Sequence, residues 1–203
     1  MQNDKQTLNL AQQRKGRLVL ILMLTFFVVP LVVVMMMYKF NWMPHSESMG
    51  DLVRPARLLN SEPALQEANG QALPGDFWKT RWSIVYVADD CQAACLAKLH
   101  DMRQLHASLY KDMPRAQRVL ITRTQDIAEI KRDYPDLIVL NQPAEHLAPF
   151  TAQFKVAEED VATSNRLYLV DPLGHFMMSY KSDMPLATVR KDVARLLRFS
   201  WAG

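Results

Sequence analysis

Leu18 to Tyr38 is a run of 21 residues without a charge, and it limits the fold of this chain more than any other feature. In hydrocarbon each backbone amide needs a partner within its own segment, so a run of this kind must be a helix. At 21 residues it is long enough to span a bilayer. It leads into Lys39-Phe40-Asn41-Trp42-Met43-Pro44, which has no small-residue cleavage site, and so it reads as an uncleaved anchor. Pro30 is tolerated in such a helix, and Tyr38 and Trp42 suit the interface. Arg14, Lys15 and Arg17 precede the run and only Lys39 follows it closely. This asymmetry predicts a single-pass inner-membrane protein with a cytoplasmic N-terminus and a C-terminal part in the periplasm of a Gram-negative cell.

The chain is then expected to divide into a cytoplasmic tail (1–17), the anchor (18–38), a polar, proline-bearing linker (39–64) and one domain (65–203). The net charge of +3 resides entirely in residues 1–17, so the rest of the chain is balanced. The basic balance reflects topology and excludes a nucleic-acid surface as the reason for it.

The domain is organised around Trp82-Ser-Ile-Val-Tyr-Val87, an apolar, β-branched and aromatic run that predicts a buried strand. Asp89 and Asp90 predict a helix N-cap, and Leu96, Leu99, Met102, Leu105 and Leu109 continue at helical spacing to about Tyr110. Cys91 and Cys95, the only two cysteines, fall at this junction. Their i, i+4 spacing predicts both sulfurs on one face of the first turn, with Cα atoms roughly 6 Å apart, which permits a disulfide. A loop this short restrains the unfolded chain very little, so a purely structural bond is weakly motivated. The pair reads as a redox couple or as half of a soft-metal site, in a compartment where disulfides persist.

Beyond it, Arg118–Thr122 and Leu137–Leu140 predict strands, and 126–133 and 145–156 predict helices. Arg166–Val170 and His175–Tyr180 predict a hairpin about the turn Asp171-Pro172-Leu173-Gly174, and Leu186–Phe199 a closing helix. Leu65–Leu73, with Asn69-Gly70, predicts an earlier hairpin. Strand–helix alternation followed by a hairpin and a helix is an α/β, thioredoxin-type layout with a mainly parallel core, to which the late hairpin adds antiparallel strands. The cysteines then lie at the end of the first core strand, the usual place for an α/β active site.

In these pieces the chain resembles the SCO family of membrane-anchored, thioredoxin-fold factors that assemble the copper centre of cytochrome c oxidase. The matching pieces are Leu65 to Gly70, Trp82-Ser-Ile-Val-Tyr before Cys-x-x-x-Cys, Leu167-Tyr-Leu-Val-Asp-Pro-Leu-Gly-His-Phe176 and the final helix. The resemblance implies Cys91 and Cys95 as the redox and metal-binding residues, and an oxidase subunit or copper chaperone as partner. It requires no resident cofactor, with Cu(I) as the one candidate ion. Two features depart from the family pattern. Gln92 and Leu96 stand where proline usually follows each cysteine, and Ala162-Thr163-Ser164 stands where the family has Asp-His-Ser with its third copper ligand. A hydroxyl is a poor donor for a soft ion.

The five histidines (His45, His100, His106, His146, His175) supply no evident replacement. Met35–Met37, Met43, Met49, Met177 and Met178 read as hydrophobic filling rather than as a thioether site. No Ser–His–Asp set, phosphate loop or zinc motif is present. Three readings stay open: a periplasmic assembly factor working by thiol–disulfide exchange, a Cu(I) metallochaperone with an altered third ligand, and a non-catalytic scaffold.

Overall fold

The structure is a computed structural model that describes residues 2–40, 49–62, 64–124 and 127–200. Its contacts divide the chain into two units, Met1–Glu47 and Ser48–Gly203.

The first unit is the helix α1 (Gln2–Lys39). Its stretch Lys15–Lys39 has a mean hydropathy of 3.1 and is long and apolar enough to cross a membrane. Along that stretch apolar side chains occupy the whole circumference and are exposed. The Thr25 hydroxyl donates to the Ile21 carbonyl (2.7 Å), which removes an unpaired polar group from the run.

The second unit is built on one six-stranded sheet. Its strands are β1 (Asp51–Leu58), β2 (Trp82–Ala88), β3 (Ala116–Thr122), β4 (Ile138–Asn141), β5 (Leu167–Val170) and β6 (His175–Tyr180), in the spatial order β1-β6-β5-β2-β3-β4. The helices are α2 (Ala93–Ala107), α3 (Ile127–Asp133), α4 (Ala144–Thr151) and α5 (Leu186–Phe199). Period-two alternation sends Ile84, Tyr86 and Ala88 of β2 to the α2/α5 face, and Val85 and Val87 to the α4 face. On the first face Cys95, Leu99, Met102 and Leu105 of α2 meet Val189, Val193 and Leu197 of α5. On the second, Phe150 stacks on Trp78 (5.5 Å), and Phe154 packs on Tyr168 and Phe176 (5.3 and 5.2 Å).

The sheet is mixed, as strand–helix alternation followed by a hairpin predicts: β2, β3 and β4 are parallel, the β5-β6 hairpin runs antiparallel beside β2, and β1 continues antiparallel. The Tyr86↔Leu167 register shows that β5 starts beside the C-terminal end of β2.

One expectation is corrected: residues 51–58 are not linker but the edge strand β1, paired with β6 from Asp51↔Ser179 to Leu58↔His175. An edge strand carrying Pro55 and almost wholly exposed side chains has no alternation to betray it. The hairpin expected at 65–73 is present as a short one: Gln66 bridges Ala72, and the N–H groups of Leu73 and Glu67 donate to the Leu65 and Gln71 carbonyls (2.8 Å each). Gly70 takes the left-handed conformation there (φ +84°), and the turn docks on the β4 edge through Ala68 N–H to the Val139 carbonyl (2.8 Å).

Candidate functional site

Cys91 and Cys95 are joined in a disulfide just past the C-terminal end of β2, with Cα atoms 4.9 Å apart. The local geometry differs from the one spacing alone predicts. Cys91 precedes the helix, which begins at Ala93 with Gln92 at its N-cap position, and only Cys95 lies in the first turn. Neither aspartate caps it. Asp89 is turned to the end of β3 instead, where its carboxylate forms an ion pair with Arg123 and its carbonyl accepts the Arg123 N–H (3.2 Å). Asp90 is exposed.

This arrangement matters for the thiols. The positive end of α2 favours a thiolate near it, and the ion pair to Arg123 offsets one of the two carboxylates that would oppose this. Cys91 is 8 % exposed and Cys95 3 %, so the loop cysteine is the more accessible member of a largely buried pair.

The end of the sheet that carries the pair holds a polar network, since the start of β5 lies beside Tyr86 near the end of β2. The Tyr86 hydroxyl donates to Asn165 Oδ1 (2.7 Å), and burial, followed by the nearby Tyr168, pushes the Tyr86 phenol above its ordinary range. Asn165 is left-handed (φ 51°), a conformation that Asn adopts more readily than most residues. Next to it Arg166, buried at the start of β5, bonds Glu159 (2.6 and 2.9 Å), Asp51 (2.6 Å) and Ser179 (3.3 Å). Hydrogen bonds donated to Glu159 and then to Asp51 outweigh burial and raise the guanidinium above its ordinary value. An open groove of about 480 Å³ runs beside the loop, lined by Ala88, Asp89, Arg123, Asp160 and Ala162 among others.

Thr163 lies in the turn before β5, with its hydroxyl on Asp160 Oδ1 (3.3 Å), which also accepts the N–H groups of Ala162 and Thr163. The histidines are engaged or remote. His106 Nε2 contacts the Ala116 and Met113 carbonyls (2.9 and 3.1 Å), and His175 Nδ1 contacts Asp171 (3.3 Å). His175 sits at the far end of the sheet, since Tyr180, not His175, pairs with Leu167. His100 and His146 are exposed, and His45 and Met43 lie outside the described residues. Met178 is core and Met177 packs beside it.

Among the described residues no group of three or more His, Cys, Asp or Glu is arranged to hold a metal. The donor set present is two sulfurs, already bonded to each other. It does not form a closed copper site.

A parallel β2-β3-β4 unit joined to an antiparallel hairpin, with a cysteine pair at the end of the central strand, defines a thioredoxin-type protein. The sequence profile of the family described as "Transmembrane-like, thioredoxin-like, C-terminal domain" matches residues 82–200, and the chain belongs to that family. Its fold is the Sco variant. Yeast Sco1 superposes with a TM-score of 0.58 at 17 % identity, over 75 % of this chain and 99 % of that one. Arabidopsis thaliana ScoI, solved with copper bound, gives 0.56 at 18 % over 75 % and 99 %. BsSco, described by a disulfide switch and as a member of the Sco family of cytochrome c oxidase assembly proteins, gives 0.57 at 13 % over 76 % and 100 %. No curated protein matches by sequence.

Arg166, Asn165 and the Asp89–Arg123 pair escape sequence reasoning. The one signal for Arg166 is a cation placed directly before an apolar strand.

Proposed function

We propose that this chain is a membrane-anchored, periplasmic Sco-type assembly factor for cytochrome c oxidase that acts by thiol–disulfide exchange through Cys91 and Cys95. The observation that carries this reading is the disulfide itself, placed at the end of the central strand of an Sco fold. The chain would act on an oxidase subunit or on a copper chaperone, a reading supported by its likeness to BsSco, a member of a family of cytochrome c oxidase assembly proteins. The apolar helix supports the anchor, and the cations ahead of it support the orientation.

Exchange here needs no group beyond the two cysteines and a partner dithiol. A partner thiolate attacks Sγ of Cys91, forming a mixed disulfide and releasing the Cys95 thiolate, which the nearby helix N-terminus stabilises. The partner's second thiolate then attacks its own bridged sulfur and releases Cys91. The partner is oxidised, the Cys91–Cys95 pair is reduced, and the reverse sequence reduces the partner. Cys91 is the sulfur attacked because it lies in the loop ahead of α2.

Brief alkylation of the reduced chain followed by peptide mass spectrometry tests this. Cys91 should be labelled first in the folded protein. Labelling of both cysteines only after denaturation would mean that the thiols are inert and that the fold serves as a scaffold.

Copper-bound relatives favour a second reading, with Cu(I) as cargo of the reduced pair. Two sulfurs without a third donor should hold it weakly.

A further inference from the structure

Charge in this domain is balanced in sum but segregated in space. The end of the domain away from the disulfide, where β3 begins and α5 finishes, carries an open groove of about 910 Å³. Lys111, Arg190, Lys191, Arg195 and Arg198 line it and are exposed, while its one acid, Asp112, is paired with Arg115 (3.3 Å). Two aromatic rings stand among these cations, Tyr110 and Phe199, each 77 % exposed. Tyr110 is held in a left-handed conformation (φ 50°), which is costly for an aromatic residue.

Cations interleaved with exposed aromatic rings are the chemistry of a surface that meets a membrane interface. The covalent structure brings such an interface within reach. The chain joins the domain on the same helix, where the N–H groups of Met49 and Gly50 donate to Asp192 Oδ2 (2.8 and 3.3 Å). From Asp192 to Arg198 is about 9 Å along the α5 axis. Eight residues, 41–48, separate that point from the last described residue of the apolar helix, Phe40. Their contour is at most about 30 Å.

We propose that this basic, aromatic-rimmed face docks on anionic phospholipid headgroups of the membrane that holds α1. Docking would present the disulfide loop, at the other end of the sheet, away from the lipid. The proposal rests on the reading of α1 as an anchor.

The test uses the full chain in lipid nanodiscs made of phosphatidylcholine alone or of phosphatidylcholine with phosphatidylglycerol. Retention of the chain in both discs reports on the anchor. A chain retained in neither overturns the anchor and this proposal with it. Hydrogen exchange is then followed over residues 108–115 and 190–199. Exchange should slow with phosphatidylglycerol at low salt and recover at high salt, because exposed charges are screened within a few ångströms there. Lys191→Gln/Arg198→Gln should weaken the lipid-docked population roughly 30-fold. Both positions are exposed, and unchanged exchange in β2 would show that the variant is folded. Equal exchange in the two lipids overturns the proposal. So does protection that appears only on adding an acidic protein, whatever the lipid.

Discussion

Arg166 joins three segments of the domain through one buried charge. Its guanidinium ties the turn before β5 (Glu159) to the first residue of β1 (Asp51) and to β6 (Ser179). Arg166→Met should cost about 1–3 kcal/mol in chemical denaturation. The cost stays below that of an abandoned buried charge, because Glu159 and Asp51 are about half exposed and can be hydrated once the arginine is gone. At Thr163 the argument concerns chemistry rather than stability. If the third-donor position has been lost, Thr163→His should raise Cu(I) retention by the reduced chain in competition with a Cu(I) chelator, since it adds a nitrogen donor. Wild type binding as tightly as Thr163→His would show that another residue completes the site.

At the scale of elements, β1 is the part that changes the picture of the molecule. It covers the β6 edge, supplies Asp51 to Arg166, and follows the segment clamped on Asp192 of α5. A soluble domain starting at Ser48 should therefore unfold cooperatively. One starting at Leu65, the boundary that composition suggests, should melt at lower temperature or aggregate through the bare β6 edge. Thermal melts with light scattering compare the two, and equal behaviour would mean that β1 is dispensable. The elements that carry strong periodicity were legible: β2, the body of α2, the 167–180 hairpin and α5 lie where spacing predicts. The start of α2 was not, because Asp89 is drawn to Arg123, a partner 34 residues away.

For the whole domain, pH dependence follows from its paired carboxylates. Burial pushes the Asp136 carboxyl up, but hydrogen bonding and charge from the buried Arg118 (2.5 Å) leave it below its ordinary 3.8. The hydrogen bond from Arg166 holds Glu159 below its ordinary 4.5 despite partial desolvation. Both values are depressed on folding. Their contribution is therefore complete above these ordinary values, and it is lost as pH falls through the lower folded ones. The melting temperature should drop on acidification below about pH 4, and Arg166→Met should flatten part of that drop. The orientation has its own test. A reporter enzyme active only outside the cytoplasm, fused after Gly203, should be active; activity of a cytoplasm-only reporter would reverse the topology.

Local chemistry sufficed for one class of conclusions about this protein. An uncharged run of 21 residues can only be a helix in lipid, and period-two and period-3.6 patterns mark half-buried elements without reference to the rest of the chain. The cysteine spacing likewise permitted the Cys91–Cys95 disulfide without reference to the rest of the chain. Tertiary structure alone decided what depends on distant partners: the recruitment of 51–58 as an edge strand, the Asp89–Arg123 pair and the Arg166 network. It also decided where the charges collect. Residues 18–203 are neutral in sum, and only folding brings Lys111 beside the cations of α5 on one face. Pairing across a sheet and clustering on a surface join residues far apart in the chain, and no window of sequence contains both sides of such a contact.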